Sequence, residues 1–249
     1  MFNILSMILF FITIFFIGSS YSGTIDPFCR DVEYIHYYTN FDCVVRLEAI
    51  DKKGAILNSS AVIIGPRTIL MAAHSIGSTD QIKIVLNDKA YKIIKVIKHK
   101  DFVQENYGYY DIAIGLSEID LPLSKYPVLY QESNEVNQIA SICGTGMTGN
   151  FKTGAIRSTK SPRAGTNRID RTYGTSLVCS ASEHGAKDCT NLEFLICNGD
   201  SGGGLFIDGK LAGINSCVVA TDGNANSDYG DETYHTRISE LQEWIKENQ

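Results

Sequence analysis

The sequence lacks the positive charge that nucleic acid demands. Lys and Arg number 22 against 28 Asp and Glu, a net charge of -6. Without a clustered basic footprint, binding to phosphate backbones is excluded as a function class. Metal-ligand spacing is also missing. No CxxC or HxxxH occurs, so the sequence predicts neither a zinc site nor any other metal or cofactor. Long apolar runs are confined to one place, Ile4 to Ile17, and nothing after it is long and apolar enough to span a bilayer. Charged residues make up 20% and apolar residues 44%, which excludes long disorder and fits a globular chain.

The apolar run is short for a membrane span and leads into Gly18, Ser19, Ser20 and Ser22. It reads as the core of a signal peptide, residues 1–22, although no Lys or Arg precedes it. Cleavage after Ser22 leaves small residues at both recognition positions, and cleavage after Ser20 is the alternative. The expected location is therefore extracellular, or periplasmic in a bacterial host, with no membrane attachment once the leader is removed. All seven cysteines, Cys29, Cys43, Cys143, Cys179, Cys189, Cys197 and Cys217, lie beyond the leader, so export predicts disulfides with an odd thiol left over.

Short β-branched runs separated by Gly, Asn, Asp and Pro dominate the rest. They are Val44–Ile50, Ala61–Ile64, Thr68–Ala73, Gln81–Leu86, Tyr91–Ile97 and Asp111–Leu116, then Gln138–Cys143, Thr172–Cys179, Leu192–Cys197, Gly204–Ile207, Lys210–Cys217 and Tyr234–Ile238. This spacing predicts an all-β fold. Asp208–Lys210 reads as a tight hairpin turn. The polar stretch from Ser117 to Glu135, with Pro122 and Pro127, connects two halves, taken as 23–128 and 129–249 of one unit. One helix is expected, at the C-terminus. Ser239 and Gln242 form a capping box, and Ile238, Leu241, Trp244 and Ile245 share a face.

Three local signals carry chemistry. Met71-Ala72-Ala73-His74-Ser75 sets a His at a strand end after two small residues. Tyr110-Asp111-Ile112-Ala113-Ile114 sets an acid at the head of an apolar strand. Cys197-Asn198-Gly199-Asp200-Ser201-Gly202-Gly203-Gly204 surrounds one Ser and one Asp with glycines just before a strand. Glycines permit conformations in which several N–H groups converge, as an anionic intermediate requires.

In this order, His then Asp then Ser, the three segments resemble the AAHC, DIAL and GDSGGP motifs of the chymotrypsin/trypsin family of serine proteases. The resemblance covers nearly the whole exported chain. It extends to Ile97–Phe102, Ser216 and Trp244. It implies two six-stranded antiparallel β-barrels with a C-terminal helix and the site between them. It also implies His74, Asp111 and Ser201 as a catalytic triad, Gly199 and Ser201 as oxyanion-hole donors, and Ser216 as support for Asp111. The primary pocket would be formed by Leu195 at its base, Val218 and Thr233 at its walls, and His235. Leu195 supplies no carboxylate for Lys or Arg, so the implied P1 residue is small and apolar, with an acidic P1 if His235 is protonated. The implied partners are polypeptide substrates and protein inhibitors, and the expected state is a monomer.

The chain departs from the family in several places. Ser75 and Ser59 replace a cysteine pair, and Gly204 replaces a proline. The family's inserting N-terminus, which pairs with the Asp before the nucleophile, has no Ile-Val-Gly-Gly here. The candidate region is Arg30–Ile35 and the acid is Asp200. The resemblance also suggests bridges Cys179–Cys189 and Cys197–Cys217. Two other functions compete. One is an inactive homologue acting as a binding protein. The other is an esterase, since Gly199–Gly203 also fits G-x-S-x-G, with Asp228 or Asp231 and His235 as partners. Asp222–Asp228 reads as a solvated loop despite a partial calcium-loop pattern, and Lys89, Lys92, Lys95, Lys98 and Lys100 as a solvated strand face. Asn58-Ser59-Ser60 is a formal sequon, expected to be unoccupied so close to the site.

Overall fold

The computed structural model describes residues 22–77, 79, 81–104, 106, 108–157 and 161–249. The apolar leader, Ile4 to Ile17, lies outside the described residues. The first strand, β1, is Thr24–Ile25. A closed barrel follows, made of β2 (Val44–Ile50), β3 (Ile56–Ile63), β4 (Thr68–Met71), β5 (Gln81–Leu86), β6 (Lys89–Lys98) and β7 (Ala113–Ser117), in the order β2-β3-β4-β7-β6-β5. The second half holds β8 (Ile139–Gly144), β9 (Thr148–Asn150), β10 (Gly154–Arg157), β11 (Arg163–Arg168), β12 (Arg171–Tyr173) and β13 (Ser176–Ser180). It continues with β14 (Phe194–Leu195), β15 (Gly204–Ile207), β16 (Lys210–Val219) and β17 (Glu232–Arg237). These form a seven-stranded sheet, β11-β8-β15-β16-β17-β13-β12, and a four-stranded sheet, β10-β9-β1-β14. The all-β, chymotrypsin-like fold is as expected. Only the first half closes as a ring of six; the second is shared between two sheets.

Alternation explains the barrel. On β5, Ile82, Ile84 and Leu86 are buried while Gln81 is exposed, and on β6 Tyr91 and Ile93 turn inward while Lys89, Lys92 and Lys95 face solvent. A register shift between Ile93 and Lys95 then carries β6 past its bend. β4 is different, because both its faces are covered. Ile69 and Met71 join the barrel core, while Leu70 joins the core between the halves. Hence its sequence is an unbroken apolar run.

That intermediate core brings the halves together. Val44, Val62, Leu70, Ile112 and Ile114 from the barrel meet Phe206, Leu211, Ile214, Ile238, Leu241 and Ile245. Each fully buried aliphatic side chain stabilises the contact by about 1.5–3 kcal/mol. β4 and β7, the strands that lead into and out of the site, lie in this contact, so the site's two barrel residues are held against the second half.

Among the described residues there are two α-helices, α1 (Asp31–Tyr38) and α2 (Gln242–Asn248). The sequence does not announce α1, which takes up most of Arg30–Ile35, the candidate region for the inserting N-terminus. Tyr34 is its one buried residue, and Asp31 receives the buried guanidinium of Arg163 at 2.6 and 2.7 Å. α2 forms as expected, with Ile245 buried and Trp244 partly so. The predicted capping box does not form. Ser239 instead donates its hydroxyl to Glu135 at 2.6 Å, beside the Arg237–Glu135 ion pair, and Leu241 takes the cap position.

All seven cysteines are free thiols, so the expected bridges Cys179–Cys189 and Cys197–Cys217 are not made. Cys179 is wholly buried on β13, whereas Cys189 sits partly exposed with its Sγ toward the Thr190 carbonyl. Cys197 turns its Sγ to the Met147 carbonyl.

Candidate active site

His74 follows β4 in a short 3-10 turn, Ala73–Ile76, and Asp111 immediately precedes Ile112 and β7. Because Met71 and Ala113 pair across β4 and β7, the two chain ends stand side by side. Asp111 is completely buried. Its Oδ2 accepts from His74 Nδ1 at 2.7 Å and from the Ser216 hydroxyl at 2.6 Å, and its Oδ1 accepts from the His74 backbone N–H at 3.0 Å. Burial alone would push the Asp111 carboxyl up. The facing His74 ring, its N–H and the Ser216 hydroxyl outweigh burial and hold it below the usual carboxylate range. An ionised Asp111 fixes the proton on His74 Nδ1, which makes Nε2 the accepting nitrogen. Nε2 lies 3.0 Å from Ser201 Oγ.

Ser201 sits in the glycine-rich turn before β15. Gly202 has φ 85°, and a Cβ on it would come within 2.1 Å of the Ser60 carbonyl oxygen, so no larger residue fits there. Ser60, which sequence reasoning did not single out, ties this turn to the barrel. Its N–H donates to the Ser201 carbonyl at 2.8 Å and its hydroxyl to the Gly199 carbonyl at 3.0 Å. Among the described residues, the N–H groups of Asp200, Gly202 and Gly203 are all taken, while those of Gly199 and Ser201 have no acceptor within the chain. Two neighbouring donors are thus available beside the Ser201 hydroxyl.

Asp200 is buried behind the turn. Its carboxylate accepts N–H groups from Gly23 at 2.8 Å, Gly146 at 2.7 Å and Cys197 at 2.9 Å. Burial nevertheless pushes its pKa up to about 6 against these donors. The segment reaching Asp200 is therefore Ser22–Gly23 and not Arg30–Ile35, which lies in α1. Gly23 has φ 59°, and a Cβ there would collide with the Phe194 ring at 1.9 Å. The signal in the sequence was this glycine after the small-residue stretch, three residues before Asp26.

The predicted pocket residues are placed as follows. Leu195 is buried on β14, paired with Thr24, and alternation turns it away from the core that holds its neighbours Phe194 and Ile196. Val218 on β16 pairs with Thr233 on β17. His235 is fully buried. Its Nδ1 is 2.9 Å from Asn215 Oδ1 and its Nε2 is 3.1 Å from the Thr233 hydroxyl. Burial pushes its pKa down to about 3, so the ring is neutral and carries no charge for an acidic P1 side chain. Asn215, also missed in the sequence, passes the brace on by donating to the carbonyls of Cys143 and Asp200 at 2.9 and 3.2 Å.

An esterase arrangement is not assembled. Ser201 leads into strand β15 and not a helix, both His235 nitrogens are engaged away from Ser201, and Asp231 accepts the N–H groups of Asn226 and Ser227.

A β-barrel packed on a second β-half, with a Ser, a His and a buried Asp meeting at their junction, defines the class of chymotrypsin-like serine proteases. A family model described as Trypsin matches residues 36–245, and the chain belongs to the trypsin family. Over 194 residues it is 29% identical to a trypsin of Simulium vittatum, covering 69% of this chain and 74% of that protein. It is 22% identical over 231 residues to trypsin eta of Drosophila melanogaster, covering 84% and 83%. Among solved structures it resembles neuropsin, a serine protease expressed in the limbic system of mouse brain, with a TM-score of 0.66 and 20% identity over 84% of this chain and 94% of that one. HL collagenase gives a TM-score of 0.67 at 16% identity, covering 84% and 93%.

Proposed function

We propose that this chain is a secreted serine endopeptidase that cleaves peptide bonds through an acyl-enzyme. The observation that carries the reading is the hydrogen-bonded series Asp111–His74–Ser201 beside the two free N–H donors of Gly199 and Ser201. Ser201 Oγ attacks the scissile carbonyl as its proton passes to His74 Nε2. Asp111 stabilises the imidazolium so formed. The carbonyl oxygen gains negative charge between the two N–H donors, each worth about 3 kcal/mol of barrier. His74 then protonates the leaving amine, and water repeats the sequence to release the acyl group from Ser201. Ser216 positions Asp111 through its hydroxyl.

Secretion follows from cleavage after Ser22. That cut turns the Gly23 N–H, 2.8 Å from Asp200, into an α-ammonium and gives the buried carboxylate a cation. Because Ser22 is itself fully buried, the cut precedes folding. Substrates are polypeptides. Leu195, Val218 and Thr233 support a small apolar P1 side chain, and the neutral His235 gives no reason for an acidic one.

Ser201→Ala tests the reading. Peptide hydrolysis should fall by roughly 10⁴-fold or more, with the thermal transition unchanged. Near-normal turnover would overturn it.

A further inference from the structure

We infer that Asp26, Cys29 and His184 form a divalent transition-metal site, with zinc the best-suited ion. No motif in the sequence announces it, because His184 is separated from the other two by most of the chain. The fold brings them together. Asp26 and Cys29 lie in the turn between β1 and α1, and His184 lies in the loop between β13 and β14. One ligand atom from each residue lies within 4.8 Å of the other two.

Three features suit an ion. The first is the donor set. Carboxylate oxygen, imidazole nitrogen and thiolate sulfur are zinc's usual ligands, and a three-ligand site leaves a fourth position for water. The second is preorganisation at the buried end. Asp26 is only 1% exposed, its Oδ1 accepts the Phe28 N–H at 2.9 Å, and its Oδ2 faces His184 Nδ1 at 2.6 Å. The third is access. The His184 side chain is 48% exposed and Cys29 is partly exposed, so an ion enters from solvent. The Phe28 ring lies tilted against the His184 ring, centroids 4.9 Å apart, and limits its swing.

Donors around a tetrahedral zinc are spaced by about 3.3–3.6 Å, from metal distances near 2.0–2.3 Å. With the ligand atoms within 4.8 Å of one another and Asp26 Oδ2 only 2.6 Å from His184 Nδ1, the longest separation closes by up to about 1.5 Å and the shortest opens by about 0.7 Å, which the surface position of His184 allows. Cys29 gives up its thiol proton on binding. Cys189 is not a member of the group; its Sγ faces the Thr190 carbonyl. The ion would staple the N-terminal segment to the His184 loop, three residues from the Gly23 contact with Asp200. The site is separate from the triad, so its test does not depend on peptidase activity.

The test is titration of the metal-free purified chain with Zn²⁺, followed by competition with a fluorescent chelator, and with Co²⁺, followed by absorbance. About one ion per chain should bind, the thermal transition should rise, and Co²⁺ should give a sulfur-to-cobalt charge-transfer band. His184→Ala and Cys29→Ser should each weaken binding by roughly 100-fold, and Cys29→Ser should abolish the band. Unchanged affinity in a folded His184→Ala variant would overturn the site. So would the absence of a charge-transfer band in the unsubstituted chain, which needs no variant to fold, or a disulfide at Cys29 in the purified protein.

Discussion

At the scale of the residue, the decisive groups are buried or half-buried polar atoms, and their partners set what each can do. Asp111 is fully buried, yet three donors face it. Ser59 and Ser75, the pair that stands where related proteases have cysteines, show the opposite case. Both hydroxyls are buried and have no hydrogen-bond partner among the described residues. An orphaned buried hydroxyl costs about 1–3 kcal/mol, so Ser59→Ala should raise stability by about 1 kcal/mol. A denaturant titration with an unchanged slope would measure it, and a lower midpoint would show that Ser59 is bonded after all. Asp200 makes a pH prediction. Its folded pKa of about 6 exceeds the ordinary 3.8, so the folded chain binds this proton more tightly than the unfolded one. In a chain still joined to Ser22, the contribution of Asp200 to stability should therefore be full below about pH 4 and be lost as pH rises from about 4 to 6. A chain beginning at Gly23 pairs its α-ammonium with Asp200 and should escape most of that loss. Melting temperatures of the two forms across this window test the idea, and parallel curves would refute it.

At the scale of the element, two barrel strands and the strand after Ser201 were the most legible. β2, β5 and β15 match their apolar runs end to end, because alternation or double burial leaves an unambiguous pattern. α1 and β11 were hidden for related reasons. Asp31–Tyr38 buries only Tyr34, so no apolar face repeats along it. Arg163–Arg168 is polar, and its opening residue is an arginine only 1% exposed, satisfied by Asp31 and the Ser161 carbonyl. Such a pairing is invisible until both residues are placed. Arg163→Met should loosen α1 from β11 and cost about 2 kcal/mol, less than a fully buried pair because Asp31 is 38% exposed. Amide exchange in α1 rising well ahead of the barrel strands would confirm it, and unchanged protection there would count against it. The hydrogen-bonded series Asp111, His74 and Ser201 was readable because each member sits beside a strand end. Ser60 and Asn215 were not, since their roles depend on which segment crosses behind them.

At the scale of the whole molecule, the central claim is that two halves joined by one apolar contact align Ser201, His74 and Asp111 for nucleophilic attack. The halves supply different parts: the barrel gives His74 and Asp111, and the second half gives Ser201, Ser216 and the two N–H donors. A binding protein on the same fold would share the architecture without an activated serine. Reaction of the folded chain with a fluorophosphonate, read by mass spectrometry of its peptides, separates the two most directly. The account predicts one adduct, on Ser201, lost in Ser201→Ala and strongly slowed in His74→Ala. A folded chain that stays unlabelled, or is labelled at another residue, would contradict it.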